Sequence, residues 1–360
     1  MKVKNLTSAL KLISKISNPA SLTSIFKAVE LKENALRANS EFGNIHLLLP
    51  ETTGLPDAVL LETEALLAIS SSLSPDSEIT FEEKPSHVAW SCVKDDAKGK
   101  LNFVVTDSKI ADITHTEFPW APPKDFGKAL KLASAACQQA AVSFGLYGIE
   151  MFPIDNKIYM MSSNNVSLAA TEVDRGDFPD LKVTLRPPVP DIIKAILETC
   201  PTSTMDITEK GIYIIGDFLL AQLHLGVPLD FNLKEISDKY RETKKTMSIN
   251  TSSIKKFLQR ARSLTEKQMS FTVTMKIEEG RLLLEHRGIS SSSEQYFLAE
   301  GLDTSINYEG VSLPAELVMT ALEDVDKVVC DYLSEKQLIL RGSTPEFLYI
   351  VGGNEVHAHA

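Results

Sequence analysis

Cysteine is scarce and solitary in this 360-residue chain: four residues, at positions 92, 137, 200 and 330. That spacing excludes a CxxC metal knuckle and a dense disulfide frame, and it points to a reducing compartment, the cytoplasm. Long hydrophobic runs are missing too. The most apolar stretch, 211–227, is broken by Asp217 and His224 and falls short of the roughly 20 residues needed to cross a bilayer. Lys11 and Lys15 interrupt the segment a secretory leader would use, so neither leader nor membrane association is expected. His46, His87, His115, His224 and His286 are scattered without metal-ligand spacing, and His357 and His359 lie in a tail read as frayed. Neither GxxxxGK nor GxSxG occurs, and Gly352-Gly353 stands at the chain end with no helix after it. No catalytic residue, metal or cofactor is therefore expected. Positive charge is in deficit as well: 48 acidic against 37 basic side chains give −11. A globally basic polyanion-binding coat is excluded, and any such contact must be segregated onto a local stripe. With 43% hydrophobic and 24% charged residues, the chain is ordinary globular material and not a disordered one.

What is present is a repeat with a period near 120. A turn followed by an alternating strand occurs at Glu33-Asn34-Ala35-Leu36, at Asp155-Asn156-Lys157-Ile158 and at Glu279-Gly280-Arg281-Leu282. Leu36, Ile158 and Leu282 are equivalents, 122 and 124 residues apart. An amphipathic helix is predicted before each turn, over residues 8–16, 126–138 and 252–264, from apolar spacings such as Leu10, Ile13 and Ile16. A second helix is predicted after each turn-strand block, over 62–73, 190–199 and 314–323; Pro190 and Pro314 sit where a helix start tolerates proline. A strand pair follows each second helix: 78–81 with 88–90, 205–207 with 212–215, and 328–330 with 338–340. Joints are expected at 119–123 and in the charged run 239–245. The reading is α+β, with three domains at 1–121, 122–245 and 246–360.

In order, spacing and threefold repetition the chain resembles the bacterial DNA polymerase III beta subunit, the sliding clamp, over essentially its whole length. The likeness is closest at Leu146-Tyr147-Gly148-Ile149-Glu150-Met151-Phe152, at residues 156–170 and at Gly216-Asp217-Phe218, and it continues from Ile254 through Leu313-Pro314 to Tyr349-Ile350-Val351. The resemblance implies a DNA-clamp fold of three tandem repeats, each with two helices and antiparallel sheets. It implies a head-to-tail homodimer with six units in a ring, whose twelve helices line a hole for duplex DNA. The implied partners are double-stranded DNA met without sequence preference, a DNA polymerase, a clamp loader and other proteins carrying a clamp-binding motif. No bond chemistry is implied.

For such a ring, the DNA-facing side chains would be Lys11 and Lys15, then Lys124, Lys128 and Lys131, then Lys255, Lys256, Arg260 and Arg262. The three first helices carry net charges of +2, +2 and +4, as a phosphate-facing surface requires. A partner-peptide pocket would draw on Leu146, Ser163, Val166 and Leu168, with Leu229 and Phe231 at the rim and Ile350 and Val351 from the last strand. The dimer contact would join Leu101 and Phe103 to Leu264 of the neighbour. Three features depart from the family, one of them at the end of the chain, where Gly352-Gly353-Asn354 and six further residues stand in place of a Met-Pro-rich tail. The second helices are acidic, through Asp57, Glu62 and Glu64 in the first and Glu316, Glu323 and Asp324 in the last. Ser163-Asn164-Asn165-Val166-Ser167-Leu168 replaces a run that usually carries two basic side chains. These departures would suit a divergent phage or plasmid version. Two further readings stay open: a clamp-fold peptide-binding scaffold or decoy that does not encircle DNA, and an enzyme of tandem α+β units, for which no convergent acid, base or nucleophile set is present.

Overall fold

A computed structural model describes residues 1–137, 148–164, 166–227, 234, 235, 238, 246–265, 271–289, 291–302, 308–322, 327–331, 337–343, 346–352, 354 and 355. Helix α1, Val3–Ile16, starts five residues before the expected position. Its first N–H groups need no side-chain cap, because Val3 donates to the Ser77 carbonyl at 2.9 Å and Lys4 to that of Pro75 at 3.1 Å. That loop is held in turn by Asp95, which accepts from Ser74 Oγ, from Ser77 Oγ at 2.6 Å, from Cys92 Sγ at 3.1 Å and from Ser74 N–H at 3.1 Å. These donors hold the Asp95 carboxyl well below the usual carboxylate range.

The first third continues with β1 Ala28–Lys32, β2 Ala35–Ser40, β3 Gly43–Leu48, β4 Val59–Glu62, α2 Thr63–Ser72, β5 Thr80–Lys84, β6 His87–Cys92 and β7 Ala97–Asn102. The middle third holds α3 Phe126–Ser134, β8 Ile149–Ile154, β9 Lys157–Ser163, β10 Ser167–Asp174, β11 Val183–Leu185, α4 Val189–Thr199, β12 Thr204–Thr208, β13 Gly211–Gly216 and β14 Leu219–Leu223. The last third holds β15 Thr246–Asn250, α5 Thr251–Leu264, β16 Thr272–Glu278, β17 Arg281–Arg287, β18 Ser292–Phe297 and β19 Tyr308–Pro314. It ends with α6 Ala315–Leu322, β20 Lys327–Asp331, β21 Gln337–Ser343, β22 Glu346–Gly352 and β23 Asn354–Glu355. Helix α5 is capped by Asn250, whose side chain accepts from Ser252 N–H at 3.0 Å.

The three repeated turns have one geometry. Two-residue loops close the pairs Lys32↔Ala35, Ile154↔Lys157 and Glu278↔Arg281. Their first loop residues, Glu33, Asp155 and Glu279, take φ of 46°, 52° and 49°. Positive φ is uncommon for non-glycine residues, so its recurrence at the same place in each third is a backbone signature of the repeat.

Two compact units form: Met1–Gly127 with Gly176–Gly226, and Lys128–Arg175 with Val227–Ala360. Each takes part of the middle third. In the first unit one antiparallel sheet runs β12-β13-β14-β3-β2-β1-β4, and β5-β6-β7 form a second. Strands 172 residues apart are joined by Leu219↔Leu47. At this junction Gly43 has φ 144°, and a Cβ there would stand 2.1 Å from the Gln222 carbonyl oxygen, so the approach of β3 to β14 requires glycine. Helix α1 packs on α2 and α4. The expected joint at 119–123 is an anchor: Trp120 exchanges backbone hydrogen bonds with Met205 at 3.0 and 2.7 Å. It is 1% exposed and meets Phe126 and Phe178 edge to face at 5.0 and 5.1 Å.

In the second unit β8-β9-β10-β22-β21-β20-β15 form one sheet and β18-β17-β16-β19-β23 another. Ile254, Phe257, Leu258 and Ala261 of α5 enter a core shared with Val273, Met275 and Ile277 of β16 and with Tyr349 and Val351 of β22. Tyr349 Oη donates to the Ala135 carbonyl at 3.3 Å. Among the described residues no helix is long and apolar enough to cross a membrane.

Candidate functional site

Strand alternation sends neighbouring residues of the second unit's sheet to opposite faces. Ala169, Leu340, Phe347, Tyr349 and Val351 join the helix-bearing core. Met161, Leu168, Ala170, Ile339, Leu348 and Ile350 form a separate apolar cluster, with Phe152 packed against it. Leu168 and Ile350 are cross-strand partners where β10 meets β22.

The first unit's sheet shows how unusual that second face is. Aligning the hairpins at Glu33 and Asp155 and following the strand registers makes Phe152, Met161, Ala170 and Leu348 equivalent to Glu30, Asn39, Asn44 and Gln222. At these four positions the first sheet is polar, and its own chain ties down beside them, although Leu48, Ile215 and Leu220 share that face. Arg37 pairs with Glu30 at 3.1 Å and Asp112 at 2.6 Å, and His46 Nε2 lies 3.2 Å from the Ala111 carbonyl. His115 stacks on Tyr213 at 4.0 Å with Nε2 2.7 Å from Asp206. Burial, helped by the Arg37 charge, lowers the His46 pKa.

Of the residues expected in a peptide pocket, the structure brings Leu168 and Ile350 together in the apolar cluster, each 5% exposed. Val351 goes to the opposite face and is wholly buried. Val166, 45% exposed, stands at the end of the same strand junction, its carbonyl accepting from Gly352 N–H at 2.6 Å. The run that replaces the family's basic one is folded around Asn164, whose Oδ1 accepts from Val166 N–H at 2.8 Å and Ser167 N–H at 2.6 Å. Ser163 Oγ donates to the Ser167 carbonyl at 2.9 Å. Leu146, Leu229 and Phe231 lie outside the described residues, as does the run 239–245.

The basic side chains divide by what they already touch. Lys11 and Lys15 stand exposed on α1 and Lys124 is exposed ahead of α3, while Lys128 and Lys131 are half-buried. On α5, Lys255 is half-buried and Lys256 exposed. Arg260 donates to Gln295 Oε1 at 2.8 Å, and Arg262 pairs with Glu316 of α6 at 3.2 Å. That acidic second helix therefore neutralises part of the basic first one.

Two sheet edges complete the inventory. Strand β7 ends the three-stranded sheet and β18 ends the five-stranded one. Leu101 lies on β7, 7% exposed, and Phe103, just beyond it, is half-buried and bridges to Leu61. Leu264 is half-buried at the end of α5, beside the root of β18, where Ser291 Oγ donates to its carbonyl at 2.9 Å. Sequence reasoning missed β18. Its segment Ser-Ser-Glu-Gln-Tyr-Phe is mostly polar, and the faint alternation of exposed Ser292, Glu294 and Tyr296 was its only signal. Among the described residues no group of three or more His, Cys, Asp or Glu is placed to hold a metal ion.

No family model matches the chain, and no curated protein matches it. Solved structures do. The DNA polymerase III beta subunit of Thermotoga maritima matches with a TM-score of 0.79 at 13% identity, covering 99% of this chain and 98% of that one. The beta subunit of the Streptococcus pyogenes DNA polymerase gives 0.77 at 15%, covering 99% of each. The DNA polymerase III subunit beta of Pseudomonas aeruginosa gives 0.75 at 11%, again with 99% of each. This chain is α+β and has, from end to end, the sliding-clamp fold of the bacterial DNA polymerase III beta subunits.

Proposed function

We propose that the protein is a sliding clamp. Two copies close head to tail into a ring of six units around duplex DNA, each chain supplying units at 1–121, 122–245 and 246–360. The ring tethers a DNA polymerase to its template and performs no bond chemistry. The carrying observation is the fold likeness to DNA polymerase III beta subunits over 99% of the chain. Topology then explains the charge. A ring that encircles its template needs only weak, sequence-independent phosphate contacts, and each strong one would brake sliding. The exposed lysines of α1 supply such contacts, while the α5 arginines are already engaged within the unit.

Closure needs edges that find each other. Lys98 and Lys100 are exposed on β7 and Glu294 is exposed on β18, so antiparallel pairing of β7 with the partner's β18 would join open backbone groups and opposite charges. Heterologous contacts of this kind form rings when the rotation closes. The apolar cluster around Leu168 and Ile350 is the place for a partner's peptide, inserted by the polymerase, a clamp loader or other proteins with a clamp-binding motif. The polar counterpart on the first sheet supports a single such site per chain. The whole assembly operates in the cytoplasm.

The scaffold reading, without encirclement, draws on one observation, the Arg262–Glu316 pair that removes basic charge from α5. Retention separates the two. After incubation with nicked circular DNA and gel filtration at moderate salt, a clamp co-elutes with the circle and is lost when the circle is linearised. Equal retention on both forms would refute encirclement.

A further inference from the structure

The open edges β7 and β18 are each bracketed by aliphatic side chains that stand in water. Val93, in the turn before β7, and Val105, just beyond it, are 92% and 90% exposed; Ile289, ahead of β18, and Leu298, directly after it, are 80% and 89% exposed. A single exposed aliphatic residue is ordinary on a protein surface, but a pair bracketing each of two unpaired strand edges marks a surface that is covered in an assembly. The backbone around them is fixed. Val104 N–H donates to the Leu60 carbonyl at 2.8 Å beside Val105, and Gly288 N–H donates to the Ser291 carbonyl at 2.8 Å across the loop that carries Ile289.

The charges between the brackets identify what covers them. Among the described residues Lys98 and Lys100 of β7 and Glu294 of β18 have no ion-pair partner. The opposing charges nearby are already engaged. Asp95 is turned in on Ser74, Ser77 and Cys92, and exposed Asp96 shares its turn with exposed Lys94. Beside β18, Arg287 pairs with Glu285, which also holds Lys276 at 2.7 Å, and Arg281 pairs with Glu279 at 3.1 Å. Side-chain direction then sets the register. Lys98 and Lys100 lie on the exposed face of β7 with Leu101 on the buried one, and Glu294 and Tyr296 lie on the exposed face of β18 with Phe297 on the buried one. An antiparallel pairing with Lys100 opposite Glu294 matches these faces, sets Val105 opposite Ile289 and brings Leu298 to the turn that carries Val93; a slip of one residue would reverse the faces. We propose that a second copy of this chain covers both brackets in that register, Val105 packing on the partner's Ile289 and Val93 on the partner's Leu298. This rests on the ring reading and adds to it two apolar clasps, one at each end of the shared strand pair.

The test uses the full chain. Mild oxidation with diamide should convert Val105→Cys with Ile289→Cys into a covalent dimer on denaturing gels, while the unsubstituted chain, each single variant and Val105→Cys with Leu298→Cys stay monomeric there. By sedimentation without oxidation, Val105→Ser with Ile289→Ser should raise the dimer Kd at least about tenfold through lost aliphatic burial. Leu22→Ser, at a side chain as exposed but remote from both edges in sequence, should leave it unchanged. All the replaced side chains are exposed, so the core stays intact, and circular dichroism melts check each variant. A covalent dimer from the Leu298 pair and not from the Ile289 pair would reverse the strand direction and overturn the proposal. So would a sedimenting dimer that gives no covalent product from the Ile289 pair, or an unchanged Kd in the serine variant, and in those cases the ring reading stands. A monomer at every concentration would remove the ring reading together with the clasps.

Discussion

Tyr349 ties a single hydroxyl to the stability of the second unit. It lies in the core, 1% exposed, with its Oη on the Ala135 carbonyl, and burial pushes its pKa up from 10.0 to about 12. A phenol whose folded pKa is raised releases its proton more readily when unfolded. Its contribution is therefore whole below pH 10 and is lost as pH rises toward 12, at about 1.4 kcal/mol per unit of pH. Denaturant midpoints measured across pH 9–12 should fall along that slope, and Tyr349→Phe should remove this component; an unchanged slope in the variant would contradict the assignment. At this scale the sequence was informative where local chemistry decides. The turns at Glu33, Asp155 and Glu279 were legible from residue type and spacing. Val351 was not, because a resemblance places a strand more securely than it places the two faces of that strand. One step along β22 separates Ile350 from the core side.

Among elements, helices were legible in proportion to how locally their ends are set. Helix α5 begins within one residue of its expected start because Asn250 caps it from next door. Helix α1 begins five residues early because its cap comes from carbonyls 71 and 74 residues away, at Pro75 and Ser77. Strand β18 escaped notice because its polar composition hides a period of two. If α1 faces duplex DNA, Lys11→Gln with Lys15→Gln should reduce the slope of log K against log salt by about 2, whereas Arg262→Gln should change it by less than about 1 because Glu316 already holds that side chain. Equal effects from both would show that the pair opens on DNA. If β7 meets the partner's β18, Lys98→Glu with Lys100→Glu should shift sedimentation toward monomer, and adding Glu294→Lys should restore the dimer. Phe103→Asp with Leu264→Asp should also give monomers, and a dimer surviving both sets would place the interface elsewhere.

For the whole chain, the threefold order of helices and strands could be read along the sequence, but the way the thirds share sheets could not. Leu47 pairs with Leu219 and Leu168 with Ile350, contacts that no local period encodes. They make two compact units out of three repeats, with the middle third divided between them. The same long-range pairing builds the apolar cluster, since half of it comes from β9 and β10 and half from β21 and β22. The central claim is that two such chains close into a ring, and small-angle X-ray scattering with an absolute molar mass tests it most directly. A mass of twice 39.6 kDa with a pair-distance profile that requires a central hole is the predicted result. A particle of 39.6 kDa, or a dimer whose profile has no hole, would contradict it.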